Sequence, residues 1–405
     1  MKRAPNADLM LLFFFQAMAG AIWIVPLGAV LKAHGYPEVW PYAFGCTAFA
    51  AVLSPLIFGA LADRHVAPAV VLRWLSAVSG VLVVCSWMAI REHCSALLLI
   101  ALMQLLALSV APLTSIIPSI VFLRLKNESR QFGPLRSLGT LGWIAGCWLI
   151  SLAVPDASIN SLLFCAGAYL VLIPVSFLVP TIPPLNPGQS LTWYERLGLD
   201  ALVLLRDPGL RVVFVMCTLL CIPSAVFYPV TPLYLAKLGF HHTSAWMTLG
   251  QVTEVIALIS LSRLRSRSHF RGVFLAGLIL SVLRFACCAV GLGGFLLVGI
   301  TFHGISLMLA LVAAQIYVGQ RVDFSWQVRA QALFGVLTTG VGSLLGYLCS
   351  GWWFRACTTA AGIAWSTFWW GCAAVSAGIV IYFLIAYRDN DRMKVSPSES
   401  IASGI

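Results

Sequence analysis

Charge is what this sequence has least of. Only 10% of its 405 residues are charged and fourteen are acidic, against 60% apolar residues and a mean hydropathy of +0.94. A water-soluble domain has no use for so much apolar surface, so that class is excluded. Also missing are any Cys-x-x-Cys pair and any Cys/His spacing that would hold a metal. No His-Glu-x-x-His run, Ser/His arrangement or paired aspartates stand at a catalytic spacing. An enzyme embedded in the membrane is therefore the weakest of the functional classes, and no cofactor or metal is expected. The twelve cysteines form no disulfide framework, because most of them (Cys46, Cys85, Cys147, Cys165, Cys217, Cys287, Cys288, Cys349 and Cys372) fall inside apolar blocks, where they act as small hydrophobes.

The chain does have apolar blocks of bilayer-spanning length, and twelve can be read. The first six are Leu9–Leu31, Pro41–Leu61, Val70–Ile90, Ser95–Leu123, Leu138–Val154 and Leu162–Val179. The second six are Val212–Leu235, Ala245–Leu261, Val273–Leu292, Phe295–Val318, Ala332–Phe354 and Ala361–Ala386. Backbone groups in hydrocarbon must be bonded within their own segment, so each block predicts a helix. Leu9–Leu31 is longer than the apolar core of a signal peptide and is expected to be the first transmembrane helix.

The net charge of +11 invites a nucleic-acid reading, which the distribution of the charge removes. With the N-terminus inside, only Lys32, Arg91, Lys237 and Arg355 lie outside, Arg136 and Arg284 lie within or at the edge of spans, and the other nineteen basic residues are cytoplasmic. That asymmetry sets orientation and places both termini in the cytoplasm of an inner-membrane, multi-pass protein. The division expected is a six-helix bundle over 1–182, a cytoplasmic linker over 183–208, a second six-helix bundle over 209–387 and a cytoplasmic tail over 388–405. The Pro-rich run Pro180–Gly188 leads into the linker, and Leu191–Arg206 fits a short amphipathic helix on the inner surface. Two halves of six spans are the parallel-repeat arrangement in which substrate binds near the midplane and the halves rock.

Polar residues inside the blocks mark the candidate site. Glu254 is the one acidic residue set deep in a block, and a lone carboxylate in hydrocarbon costs several kcal/mol, so such residues face protein or water. Gln251 lies three residues earlier and shares its helical face. Two readings stand for Glu254: a structural bond to a neighbouring helix, or a substrate and proton site. Arg136, Thr140 and Trp143 are spaced i, i+4, i+7, which aligns a guanidinium, a hydroxyl and an indole beside a small face of Gly139, Gly142 and Gly146. That stripe suits a hydroxylated ligand with a flat ring, while Arg136 could equally snorkel to the interface. Arg284 sits mid-span and needs a partner, for which Glu254 is the obvious carboxylate. His303 reads either as a hydrogen-bonded structural residue or as a proton relay. Gln16 is an interhelical bond or a cavity residue. Prolines 112 and 118 predict a kinked fourth helix, and Pro223, Pro229 and Pro232 a bent seventh helix facing a cavity, on which Tyr228 is a candidate substrate contact.

The run Gly59-Ala60-Leu61-Ala62-Asp63-Arg64, after the second of twelve spans, resembles the loop signature of the major facilitator superfamily, although the Gly and basic pair usual after it are replaced by His65-Val66-Ala67. There Asp63 and Arg64 would form a gating contact, with Arg284 in the same charge network. Within that superfamily the chain resembles the nucleoside:proton symporter family over most of its length. The resemblance rests on Phe132-Gly133-Pro134-Leu135-Arg136 with Gly139-Thr140, on Gln251-Val252-Thr253-Glu254, and on Leu283-Arg284-Phe285. It extends to His303-Gly304, Gln315-Ile316-Tyr317-Val318 and Arg329-Ala330-Gln331. It implies nucleoside contacts at Arg136, Thr140, Gln251 and Glu254, an aromatic at Trp143 and a cavity position at His303. Glu254 and His303 are then the residues for proton coupling. Two departures stand out. Met308 occupies a position where the family commonly has an acid linked to coupling, and Ala225 and Tyr228 stand where characterised members carry amides.

The expectation is an all-α, twelve-helix secondary transporter of nucleosides working by alternating access with proton symport, as a monomer and without nucleic acid. The alternatives are a sugar or aromatic-acid proton symporter, an uncoupled facilitator, and a membrane sensor or scaffold that does not transport.

Overall fold

The computed structural model describes residues 6–388 except 65, 123, 125–127, 180, 182–191 and 262–269, so most of the Pro-rich linker, the basic stretch around Arg265 and the tail lie outside the described residues. It is helical nearly throughout. Ten of the described helices or helix pairs are long and apolar enough to cross a membrane. The chain opens with α1 (Ala7–Ala33), α2 (Trp40–Arg64) and α3 (Pro68–Arg91). The fourth apolar block is two helices, α4 (Ala96–Val110) and α5 (Leu113–Phe122), parted at Pro112, which lacks the N–H needed to continue the ladder; Pro118 is tolerated inside α5. Next come α6 (Glu128–Ala153) and α7 (Asn160–Phe177).

After the linker a short α8 (Trp193–Arg196) and a 3₁₀ turn (Leu199–Arg206) replace the single amphipathic helix expected there. Gly198 between them has φ +63°, a left-handed conformation that ends the first helix. The seventh block is α9 (Pro208–Ser224) and α10 (Phe227–Lys237). The break at Ala225–Val226 follows from Pro229, which leaves the carbonyl of Ala225 without an intrahelical donor. The eighth is α11 (Thr243–Trp246) and α12 (Thr248–Leu261), followed by α13 (Phe270–Ala289). The tenth runs α14 (Gly293–Leu307), a π-helical stretch Met308–Val312, then α15 (Ala313–Arg321). The eleventh runs α16 (Phe324–Gly335), a second π stretch Val336–Gly342, then α17 (Ser343–Ala356). A hairpin of β1 (Thr358–Thr359) and β2 (Gly362–Ile363) leads into α18 (Trp365–Ala386).

Contacts group the chain into two compact units. The first comprises Met1–Ser190 together with Phe227–Thr248. In it the glycine face of α6 lies on α1. A methyl at Gly142 would fall 2.1 Å from the carbonyl oxygen of Phe14, and one at Gly146 2.8 Å from that of Met18. Such backbone contact needs small residues. Asp8 pairs with Arg124 and ties the start of α1 to the chain after α5. At the opposite end of α6, Asp156 Oδ1 accepts from both the amide and the hydroxyl of Thr243, each at 3.0 Å. Beside it the Ala245 amide donates to Ser151 Oγ at 2.9 Å, and His242 Nδ1 lies 2.5 Å from the Ser151 carbonyl oxygen. These bonds fasten the start of α11 to α6.

The second unit comprises Leu191–Val226 and Leu249–Ile405. Its core includes Phe214, Phe274, Phe334 and Phe383. Gly342, which ends the second π stretch, and Gly346 of α17 lie close against the carbonyls of Thr218 and Ile222 on α9. The chain entering α9 is pinned by Asp200–Arg329 at 2.8 Å and Asp207–Arg321 at 3.8 Å, and Asp207 also caps α9 by accepting from the Leu210 amide. Thr192 donates its amide and hydroxyl to Glu195, which holds that carboxyl below the usual range. All twelve cysteines are free thiols.

Candidate substrate and proton site

Each unit gathers its own share of the polar residues singled out above. In the first unit, α6 carries Arg136, Thr140 and Trp143 on one stripe. The helix begins at Glu128, ten residues before the apolar block, so Arg136 lies inside regular helix rather than at its start. Hydropathy stops at the first charges, whereas backbone hydrogen bonding does not. Arg136 is exposed and forms no ion pair among the described residues; Thr140 is half-buried. The indole of Trp143 is tilted against the ring of Tyr228 on α10, centroid to centroid 5.6 Å. Trp143 Nε1 is buried without a hydrogen-bond partner among the described residues. The sequence assigned both aromatics to the site, and the structure makes them a pair.

In the second unit the Gln251–Glu254 run and the His303-Gly304 pair are pressed together. A methyl at Gly304 would fall 2.0 Å from the Gly250 carbonyl oxygen and 2.6 Å from the Glu254 nitrogen, so α12 and α14 meet backbone to backbone at this residue. Thr253 Oγ1 reinforces the contact by donating to the Thr301 carbonyl at 2.7 Å. Gln251 is 4% exposed, His303 6%, and Glu254 half-buried. Two motifs about fifty residues apart thus form one polar patch.

Arg284 corrects an expectation. Its partners are not Glu254 but His303, whose Nδ1 accepts from the guanidinium at 2.5 Å, and Ser224, whose Oγ accepts at 3.3 Å. Its Cζ also stands 4.1 Å from the ring centroid of Phe285. At 2% exposure it is a buried cation with no carboxylate in ion-pair range among the described residues. Glu254 lies on α12 while Arg284 points from α13 to the α9 and α14 side. Sequence reasoning missed Ser224, sixty residues away in the chain, and Thr253; only the Ser's place beside the Pro223 bend hinted at it. Asp63 and Arg64 close α2, and their side chains lie outside the described residues. Met308 opens the first π-helical stretch, five residues after His303. Single π turns inside helices occur often at functional sites.

The site thus stands in a predominantly helical chain whose membrane-length helices carry buried polar groups. The sequence matches the family described as nucleoside H+ symporter over residues 4–392. It is 30% identical to YegT of Escherichia coli (strain K12), covering 95% of this chain and 94% of that one. It is 24% identical to the nucleoside permease NupG of the same strain, covering 94% and 95%. The fold matches a crystal structure of an aspartate-to-alanine variant of the nucleoside transporter NupG with a TM-score of 0.88, at 20% identity and covering 95% of this chain and 100% of that one. The chain belongs to the nucleoside H+ symporter family; it is a transporter, not an enzyme.

Proposed function

We propose that the protein carries nucleosides across the cytoplasmic membrane by alternating access, with protons moving in the same direction. The observation that carries this reading is the backbone contact at Gly304, which sets Gln251 and Glu254 beside His303 in a chain of this family. An amide, a carboxylate and an imidazole on one patch supply donors and acceptors for ribose hydroxyls and a base edge, together with two groups able to hold a proton. In the first unit, Trp143 and Tyr228 offer aromatic faces for a base, with Arg136 and Thr140 as polar contacts on the same stripe. The ten apolar helices, taken with α2 and α12, support a reading as twelve spans in two six-helix halves. Both termini are cytoplasmic in this reading, Asp63 and Arg64 serve as a gating contact, and the protein works as a monomer.

The test is uptake of labelled uridine and adenosine into proteoliposomes, with and without an inward proton gradient and with sugars as competitors. Accumulation driven by the gradient and resistant to sugars is expected; competition by sugars instead of nucleosides overturns the reading. One observation favours a second reading, an uncoupled facilitator. Met308, which cannot titrate, stands where the family resemblance places an acid. Exchange without accumulation under any proton or sodium gradient would establish that reading.

A further inference from the structure

A buried arginine normally finds a carboxylate, because an unpaired guanidinium away from water is costly. Arg284 instead directs two of its nitrogens to an imidazole and a hydroxyl, and its Nε has no partner among the described residues. Arginine has no acceptor, so the bond to His303 requires a lone pair on Nδ1 and places the ring proton on Nε2. The Ser224 end of the arrangement is the last residue of α9, next to the helix break at Ala225–Val226. One guanidinium therefore joins α13, the His303 turn of α14 and the bend of the seventh span. The facing titratable groups are Cys288 on α13 and Cys372 on α18, both within electrostatic reach of the guanidinium, and Glu254 on α12 across Gly304. Gly299 lets α14 close onto α13 here, since a methyl on it would fall 2.9 Å from the Arg284 carbonyl oxygen and 2.8 Å from Cys288 Sγ.

We infer that Arg284 is a positioning residue that reads the protonation of His303 and relays it to the bend of the seventh span through Ser224. This rests on the proton-coupled reading above. A proton arriving at His303 takes the Nδ1 lone pair that Arg284 holds. The bond between them breaks, since both partners are now donors and both carry charge. Arg284 leaves, and its bond to Ser224 is released with it, freeing the end of α9 beside the break. Loss of the proton restores the lone pair and both bonds. No other group is consumed, and the cycle balances as one proton bound and one released.

Two measurements on the full-length protein decide this. In lipid nanodiscs, with histidine ring nitrogens labelled with ¹⁵N and the His303 signal assigned by its loss in His303→Gln, the spectrum should show a proton on Nε2 and a hydrogen-bonded, bare Nδ1. A proton on Nδ1 overturns the proposal. In proteoliposomes, Ser224→Ala and Arg284→Gln should move half-maximal proton-driven uridine accumulation to lower proton concentration, by about tenfold for Arg284→Gln. Arg284→Lys should stay close to the unsubstituted profile, and His303→Gln should exchange uridine without pH dependence. An unmoved profile in Ser224→Ala, which removes one hydroxyl and is the variant least able to perturb folding, overturns it, as does normal accumulation by His303→Gln. If the unsubstituted protein moves neither uridine nor adenosine, the nucleoside reading fails. The tautomer at His303 still decides the relay.

Discussion

Trp143 and Tyr228 sit with ring centroids 5.6 Å apart and planes inclined at 52°, a tilted aromatic pair linking α6 to α10. The two residues are eighty-five apart in the sequence, one on the Arg136–Thr140–Trp143 stripe and the other on the proline-bent seventh span. Base stacking on an aromatic side chain contributes roughly 1–3 kcal/mol. Trp143→Ala and Tyr228→Ala should therefore weaken uridine and adenosine binding about fivefold to a hundredfold, with Trp143→Phe retaining most of it. Equilibrium binding of labelled nucleoside to purified variants measures this. Equal affinity in both alanine variants would leave the pair a packing contact.

Arg136 is exposed and has no ion-pair partner among the described residues. If it meets the ligand, Arg136→Ala should lower nucleoside affinity about tenfold or more through loss of a charged hydrogen bond, while melting temperature stays unchanged. Unchanged affinity would assign it to the membrane interface.

Glu254 shares its patch with His303, and the two roles separate by substitution. Glu254→Gln should weaken nucleoside binding about tenfold while accumulation keeps its dependence on pH, since the amide still hydrogen-bonds and the histidine still carries the proton. Exchange that survives while accumulation is lost would assign the proton to Glu254 instead.

At Gly304 the opposing backbone leaves no room for a side chain. Gly304→Ala should destabilise the protein by about 1–3 kcal/mol, and Gly304→Leu should abolish folding. Thermal unfolding in detergent, followed by size-exclusion chromatography, reads both; an unaltered melting temperature for the alanine variant would mean that α12 and α14 lie farther apart.

Orientation is open to a direct measurement. On a cysteine-free background, single cysteines at 237 and 355 should react with an impermeant maleimide from outside intact cells, and one at 265 only after lysis. Reaction at 265 in intact cells reverses the orientation.

How far the sequence reached depended on the range of the interaction. Spans, the parting at Pro112 and the bend near Pro229 are local consequences of apolar length and of a missing N–H, and the block boundaries and prolines announced them. The glycine face of α6 was legible too, because spacing alone fixes which residues share a helical face. The partner of Arg284 was not. Charge complementarity singled out Glu254, but direction is decided by which neighbours α13 packs on, and His303 and Ser224 are neighbours only in space. The two π-helical stretches left no sign either, since one extra residue in a helical turn alters no pattern of hydrophobicity. Helix α6 starts ten residues before its apolar block because hydropathy reports the bilayer, not the helix.

The stretch Phe227–Thr248 lies between two segments of the second unit in sequence, yet packs within the first, with the Pro229 carbonyl seated against Gly28 of α1. A gene cut at the linker would therefore yield an N-terminal product lacking a strip of its own interior, with apolar surface on α1 left bare. Separately produced halves should be recovered only when made together, and a fusion or split-reporter design for this protein has to respect that shared piece rather than the linker.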